Sequence, residues 1–242
     1  MSNSLSKGVL SHTYADDRNK KVEIIFRYKV RARMVADIIN SYFHNSKNLN
    51  ILDFGSAEGL TLLELNVLIP NANYIGIEYG KDLINSAPDL PENIHLQQGD
   101  VTNLSTEVKE KSYDIVTALA VLEHLKNPLN AVMEAESILK PGGLFIASCP
   151  NPFWEELSTH LGLLKNDHHE VQINKKIITE IIQKAGLKLL KYQRFMWSPI
   201  SIIPYFKIPL SPSLSLKIDK IVEKIRIFNW LFVNQHIIAQ KK

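Results

Sequence analysis

The chain repeats one alternation, in which a short apolar run is followed by a turn-forming group and then by a helical stripe. Residues 29–43 carry Val30, Met34, Val35, Ile38, Ile39 and Tyr42 at helical spacing and predict a first helix. Leu49, Ile51 and Leu52 predict a strand over 48–53, and residues 58–68 predict a helix halted by Pro70. Further strands are expected at 74–78, 94–97, 114–119 and 144–148. A helix is expected at 130–139, with a turn at Lys140-Pro141-Gly142-Gly143. Nearly continuous apolar strands separated by helices imply a parallel sheet covered on both faces.

After Pro150 the rhythm loosens. Asn174 is placed to cap a helix that runs to Lys184, and Gly186 suits its exit. Residues 187–195 predict a sixth strand and 232–239 a final one. Between them the chain is broken by prolines, 4 of its 11 falling from Pro199 to Pro212. Residues 214–228 read as an amphipathic helix. Leu214, Ile218, Ile221, Ile225 and Phe228 line one face, and Lys217, Lys220 and Lys224 another. A packed lid or edge helix is the expectation there, with a membrane-surface anchor as the other reading.

Composition narrows the class. A chain of 242 residues, 45% hydrophobic, suits one globular domain with a substantial core. Within it we expect an N-terminal helical cap over 1–47, a ligand-binding half over 48–150 and a substrate-side half over 151–242, with a lid-like insertion near 197–228. Cys149 is the single cysteine, which rules out a disulfide framework and a thiolate metal cluster and suits a reducing compartment. The first 19 residues are polar and lack an apolar core, so no secretory signal is expected. The apolar stretch at 197–210 is interrupted by prolines and Lys207 and is shorter than the roughly 20 residues a spanning helix needs. A cytoplasmic protein follows, with peripheral membrane contact through 197–228 left open. The net charge of +3 is uneven: from Asn151 onward 14 Lys/Arg face 7 Asp/Glu, a balance of +7, against −4 before it. A solvated lysine-rich surface explains this, as would an anionic partner.

The strongest chemical signal is Asp53-Phe54-Gly55-Ser56-Ala57-Glu58-Gly59, at the step from the first strand to its helix. Glycines there let the backbone turn tightly and let a ligand approach it, and free N–H groups at the helix start can bind that ligand. Glu78 follows 19 residues after Gly59, where a carboxylate can accept both hydroxyls of a ribose. A nucleoside-containing ligand is therefore expected at the carboxyl ends of the strands. The spacing of Gly55 and Gly59 fits the dinucleotide pattern G-x-G-x-x-G poorly. An acid at Asp53 would suit a ligand carrying an ammonium and a sulfonium, as the methionine half of S-adenosylmethionine does.

On these residues the chain resembles the class I S-adenosylmethionine-dependent methyltransferases. The glycine loop resembles their first motif, D-x-G-x-G-x-G, with Ala57 in place of the central glycine. Glu78 matches their ribose-binding acid, and Tyr79 stands where a side chain packs on the adenine. Gly99-Asp100-Val101 is similar to the adenine-binding step after strand three. Ala118-Leu119-Ala120-Val121-Leu122-Glu123-His124 is similar to the motif after strand four, and Leu139-Lys140-Pro141-Gly142-Gly143 to the turn before strand five. These matches occur in family order across residues 49–148. The branch resembled most is that of ubiquinone and menaquinone biosynthesis, in which a histidine precedes the N-cap of the helix before strand six by five residues, as His169 precedes Asn174.

The resemblance implies a Rossmann-like three-layer α/β sandwich with a mostly parallel seven-stranded sheet and an antiparallel final strand. It also implies an N-terminal helix closing over the cofactor and a helical insertion between strands six and seven. It implies S-adenosylmethionine as cofactor, S-adenosylhomocysteine as product, and cofactor contacts from Asp53, Gly55, Ser56, Ala57, Gly59, Glu78, Tyr79, Asp100, Val101, Ala118 and Leu119. An oxygen acceptor needs its proton removed, and His169 or His124 is the candidate base, with His169 preferred. No metal is required, although Asp167, His168, His169 and Glu170 are adjacent. A small or lipid-linked acceptor is expected and nucleic acid is not, because Trp197, Tyr205 and Phe206 sit among aliphatics rather than arginines. Two other readings stay open: a nicotinamide-dependent oxidoreductase on a similar fold, and a non-catalytic relative that binds the cofactor without turnover.

Overall fold

Alternation along the strands decides which side chains form which layer. In β1 (Leu49–Phe54), Leu49 and Ile51 join one buried cluster while Leu52 and Phe54 join another. The same division runs through β4 (Tyr113–Leu119), where Ile115 faces one way and Val116 and Ala118 the other. It recurs in β5 (Leu139–Pro150) and β7 (Phe232–Gln240). Side chains point to opposite faces at every step, so strands that are apolar throughout must be covered on both sides. The computed structural model describes residues 20–44, 48–154, 156 and 170–242.

The remaining strands are β2 (Ala72–Glu78), β3 (Ile94–Gln98) and β6 (Lys188–Trp197), giving a seven-stranded sheet ordered β3-β2-β1-β4-β5-β7-β6. β1 pairs in parallel with β2 and β4, and β4 with β5, whereas β7 runs antiparallel between β5 and β6. Strand order reverses beside β1, which leaves a crevice at the carboxyl ends of β1 and β4. One face is covered by α1 (Val22–Tyr42), α2 (Leu60–Leu68) and α8 (Pro212–Val222). The other carries α5 (Pro128–Ile138) and α6 (Lys175–Lys184). Short helices α3 (Lys81–Asn85), α4 (Thr106–Lys109) and α7 (Ser198–Ser201) lie in the connections. The Asn174 side chain caps α6, accepting from Ile177 N–H at 3.0 Å.

Three expectations are corrected. The first helix begins at Val22, because Phe26, one turn before Val30, is also buried. From Val30 to Ile39 it lies in the core as a layer of the sandwich. Its early turn reaches the insertion, where the Arg27 guanidinium donates to the Tyr205 hydroxyl. The turn expected at 140–143 lies inside β5 as a register irregularity against β4, with Gly142 at φ +78° and both Asp114 carboxylate oxygens accepting from Lys140 at 2.9 Å.

The third correction concerns residues 214–228. The helix stops at Val222, and a 3₁₀ segment, Arg226–Leu231, follows. Its buried face is Ser215, Leu216, Asp219 and Val222, while Leu214, Ile221, Ile225 and Phe228 are exposed. The cause is polar. Backbone N–H groups of Met196 and Trp197, at the end of β6, donate to the two Asp219 carboxylate oxygens at 2.8 and 2.9 Å. Leaving two such groups buried and unpaired would cost about 1–3 kcal/mol each. That is comparable to the roughly 1.5–3 kcal/mol gained by burying one isoleucine, so the acid takes the inward position.

Candidate functional site

The loop after β1 is folded onto β2. Gly55 and Ser56 N–H groups both donate to the Ile77 carbonyl, at 2.8 and 3.2 Å. Gly55 has φ +68°, and a Cβ there would lie 2.5 Å from Cγ2 of Val121 in the loop after β4. Glycine is thus required twice at this position, by its conformation and by the close approach of a second loop. Ala57, where the family pattern has glycine, takes φ +49°, and Ala120 takes φ +61°. Left-handed conformations at non-glycine residues cost energy and cluster at functional sites. Ser56 sits over Gly76 in mid-strand, where a Cβ would come within 2.6 Å of both its Oγ and its Cβ. The Ser56 hydroxyl is buried and has no hydrogen-bond partner in the structure.

Glu78 joins two loops. Its Oε2 accepts from Ala57 N–H at 3.0 Å and its Oε1 from Gly80 N–H at 2.8 Å, while its own carbonyl accepts from Gly99 N–H at 3.0 Å. One carboxylate therefore fixes the first glycine loop against the exit of β2, and the same residue's backbone holds the exit of β3. Asp53 is buried and accepts from the Thr117 hydroxyl of β4 at 2.6 Å. Asp100 is exposed and accepts from both the N–H and the hydroxyl of Thr102, at 2.8 and 2.7 Å. Val101 is buried in the core, and Tyr79 is exposed beside Glu78.

All the expected residues that lie within the described chain come to one edge. The Asp53–Gly59 loop stands at the carboxyl end of β1, with Glu78 and Tyr79 at the end of β2 and Asp100 and Val101 just after β3. Ala118 and Leu119 end β4, and the half-buried His124 closes the 3₁₀ turn Leu122–His124 beyond it. His169, with His168 and Asp167, lies outside the described residues. Glu170 is described, and its N–H donates to the Glu123 carbonyl at 2.9 Å. Three carboxylates, Asp53, Glu78 and Asp100, make this edge acidic, which suits a cationic ligand with hydroxyl and amine donors. Among the described residues no group of three or more His, Cys, Asp or Glu side chains is placed to hold a metal ion.

Sequence reasoning passed over Thr117, Gly76, Val121 and Ser148. The signals were slight but readable. Thr117 is the one hydroxyl inside an apolar strand, and Gly76 interrupts Tyr74-Ile75-Gly76-Ile77, where glycine in mid-strand marks a close approach. Ser148 lies two residues before the end of β5 near the same edge, buried with an unpartnered hydroxyl. Farther along this face, His236 of β7 is buried with Nδ1 unpartnered and packs its ring 5.4 Å from Phe195. Burial, reinforced by nearby Lys191, lowers its pKa to about 3, so it is neutral. Asp219 is shifted the other way, up to about 6, by burial that outweighs its two backbone hydrogen bonds.

A family model described as a methyltransferase domain matches residues 45–186. Ubiquinone biosynthesis O-methyltransferase of Coxiella burnetii is 28% identical over 167 residues, covering 64% of this chain and 70% of that protein. Malonyl-[acyl-carrier protein] O-methyltransferase of Halalkalibacterium halodurans is 31% identical over 146 residues, covering 58% of this chain and 50% of its own length. Among solved structures, the plantazolicin methyltransferase BpumL, in complex with a monoazolic desmethylPZN analog and SAH, superposes with a TM-score of 0.66 at 14% identity. That match covers 95% of this chain and 88% of the other. At that identity the likeness is one of fold.

Proposed function

The chain belongs to the methyltransferase domain family and is a class I S-adenosylmethionine-dependent methyltransferase, and from that premise we propose that it methylates an oxygen atom of a small or lipid-linked acceptor. Bound at this edge, the cofactor supplies an electrophilic methyl group on a sulfonium whose thioether is already a good leaving group. What remains for the protein is to hold, orient, exclude water and take a proton.

The carboxylates and loops divide that work. Asp53 and the backbone of Gly55, Ser56, Ala57 and Gly59 hold the methionine end, where the buried Ser56 hydroxyl still has a bond to make. Glu78 holds the ribose hydroxyls, each of its oxygens keeping a lone pair beyond the backbone bond it accepts. Asp100 receives the adenine amine, with Val101 and Tyr79 flanking the ring, and Ala118 and Leu119 border the methyl end. The fit rests on the acidic edge together with the loop cradle that glycine 55 keeps open. An Asp53→Ala or Glu78→Ala change should weaken cofactor binding strongly in isothermal titration, and unchanged binding in both would remove these assignments.

Oxygen as the accepting atom is supported by two relatives named as O-methyltransferases, and a histidine, as at His124 or His169, has the chemistry to take the acceptor's proton. The observation that carries the base is the bond from Glu170 N–H to the Glu123 carbonyl. It brings Glu170 to the turn that ends at His124. We assign proton removal to His169, with His124 as the other candidate. A lipid-linked or apolar acceptor is supported by the aromatic rim at the same edge. There Phe153 packs edge-on against Trp154 and Trp230, each at 5.8 Å, and the Trp154 indole N–H donates to the Trp230 carbonyl at 2.9 Å. The test is methyl transfer to a panel of phenols and carboxylic acids. Turnover that is lost in His169→Ala and restored at raised pH fits the base assignment, while turnover on amines alone would refute oxygen as the target.

A further inference from the structure

We propose that the insertion between β6 and β7 is a docking surface for an anionic lipid bilayer, which lays the cofactor edge of the sheet against the membrane. The chain leaves β6 at Trp197 and returns at Phe232, two residues paired with each other. Pro150, at the carboxyl end of β5, pairs with Asn234 two residues farther on. The insertion therefore stands at the end of the sheet where the site residues gather.

Its surface is apolar in a way a solvated lid would not be. Phe206 is 70% exposed, Ile221 63% and Ile227 72%, with Ile208 and Trp230 also more than half exposed. Scattered exposed apolar residues are ordinary, but this density within one segment marks an interaction site. On α8, Leu214 and Ile221 share the outward flank, opposite the buried Leu216, Asp219 and Val222.

Charge selects the occupant. Between Trp197 and Leu231 the segment holds five cations, Lys207, Lys217, Lys220, Lys224 and Arg226, and two acids, Asp219 and Glu223. All five cations are exposed. Both acids turn inward: Asp219 accepts from Met196 and Trp197, and Glu223 accepts from Arg194 N–H at 3.2 Å and from the Gln193 amide at 3.1 Å. With Asp219 buried and Glu223 half-buried and tied to β6, the outer surface presents isoleucines and aromatic rings among lysines. A bilayer interface offers acyl boundary to the former and anionic headgroups to the latter. A polyphosphate backbone matches only the charges and gives Ile221 and Ile227 nothing to enter. The consequence that an acceptor would reach the site from the bilayer rests on the acceptor reading above, whereas the docking itself does not.

The test is flotation of the full chain, without cofactor or acceptor, on vesicles of phosphatidylcholine alone and of phosphatidylcholine mixed with phosphatidylglycerol. The chain should float with the mixed vesicles, remain behind with the neutral ones, and bind less as salt rises. The Lys217→Gln and Lys224→Gln changes should each weaken binding about fivefold. The double variant Ile221→Glu, Ile227→Glu should not float, yet should bind S-adenosylhomocysteine like the wild type, which shows that it is folded. Failure to float on mixed vesicles, or flotation of the double variant equal to the wild type, overturns the proposal. So does a wild-type dimer in solution that the double variant abolishes, since a second copy would then be the occupant. Cofactor binding measured separately tells failure of this surface from failure of the methyltransferase reading.

Discussion

Residues 49–150 and residues 151–242 contribute to the same sheet but are held by different rules. In the first part, loops are pinned by backbone conformation and by a carboxylate that bonds to main chain: Gly55 against Val121, and Glu78 between Ala57 and Gly80. In the second part, a pair of acids is drawn inward to satisfy the end of β6, and apolar side chains are left outside. Constraint on backbone leaves a fixed residue pattern in the sequence. A carboxylate's bond to main-chain N–H groups, as at Glu78 or Asp219, leaves no pattern at the partner positions, because any residue but proline supplies that donor.

That difference can be broken or sharpened by substitution. The largest effect is expected at Gly55→Ala, which combines a left-handed conformation with a clash at Val121 and should destabilise the fold by about 2–4 kcal/mol. Adding Val121→Ala should return the steric share, read as partial recovery of the thermal midpoint; no recovery would show that conformation alone matters there. Next, Glu78→Ala should weaken S-adenosylhomocysteine binding by about 10- to 100-fold, with Glu78→Gln intermediate because one oxygen acceptor survives. Binding in the Gln variant as poor as in Ala would mean that the charge, not the loop tie, dominates.

In the second part the contrast is one of pH. His236 stays neutral in the fold to about pH 3, while the unfolded chain takes up its proton below about pH 6.5. Its contribution is therefore full above pH 6.5 and declines as pH falls toward 3. Asp219 opposes it. Its raised folded pKa of about 6 means that the fold loses stability as pH rises from about 4 to 6. Between pH 7 and 5 the two slopes nearly cancel, each worth roughly 1–2 kcal/mol. His236→Gln should then gain stability on acidification to pH 5, and Asp219→Asn should lose it, in denaturant titrations at the two pH values. Parallel curves for both variants would contradict the assignment.

The smallest effects are local. Asn174→Ala removes the α6 cap and should cost about 1 kcal/mol. Ala57→Gly should be neutral or stabilising by up to about 1 kcal/mol, against the usual cost of glycine, because Ala57 already holds a left-handed conformation. A clear loss of thermal stability in that variant would show that the methyl group is packed to advantage.

The legibility of the sequence follows the same line. The five strands through β5 and the longer helices between them could be read, whereas α3 and α4 are too short to show a period. The order of the motifs and the gathering of Asp53, Glu78 and Asp100 at one edge could be read as well, since apolar period and glycine position are local properties. The cap of α6 was readable for the same reason. The faces of α8 were not. A period of 3.6 assigns Leu214, Ile218 and Ile221 to the interior, and nothing in that period reports that the Met196 and Trp197 N–H groups need an acceptor. The early start of α1 was hidden only by the stopping point chosen for its stripe, because Phe26 continues the spacing of Val30. Thr117, which meets Asp53 across two strands that are 64 residues apart, is a contact that only the register of β1 on β4 creates.

The central claim is that the acidic carboxyl edge beside β1 binds the adenosyl cofactor, with Glu78 as its pivot. Isothermal titration of the wild-type chain with S-adenosylhomocysteine, repeated on Glu78→Ala, tests it most directly. The account predicts saturable binding in the wild type and a loss of about 10- to 100-fold in the variant. No heat in the wild type, or equal affinity in both, would contradict it.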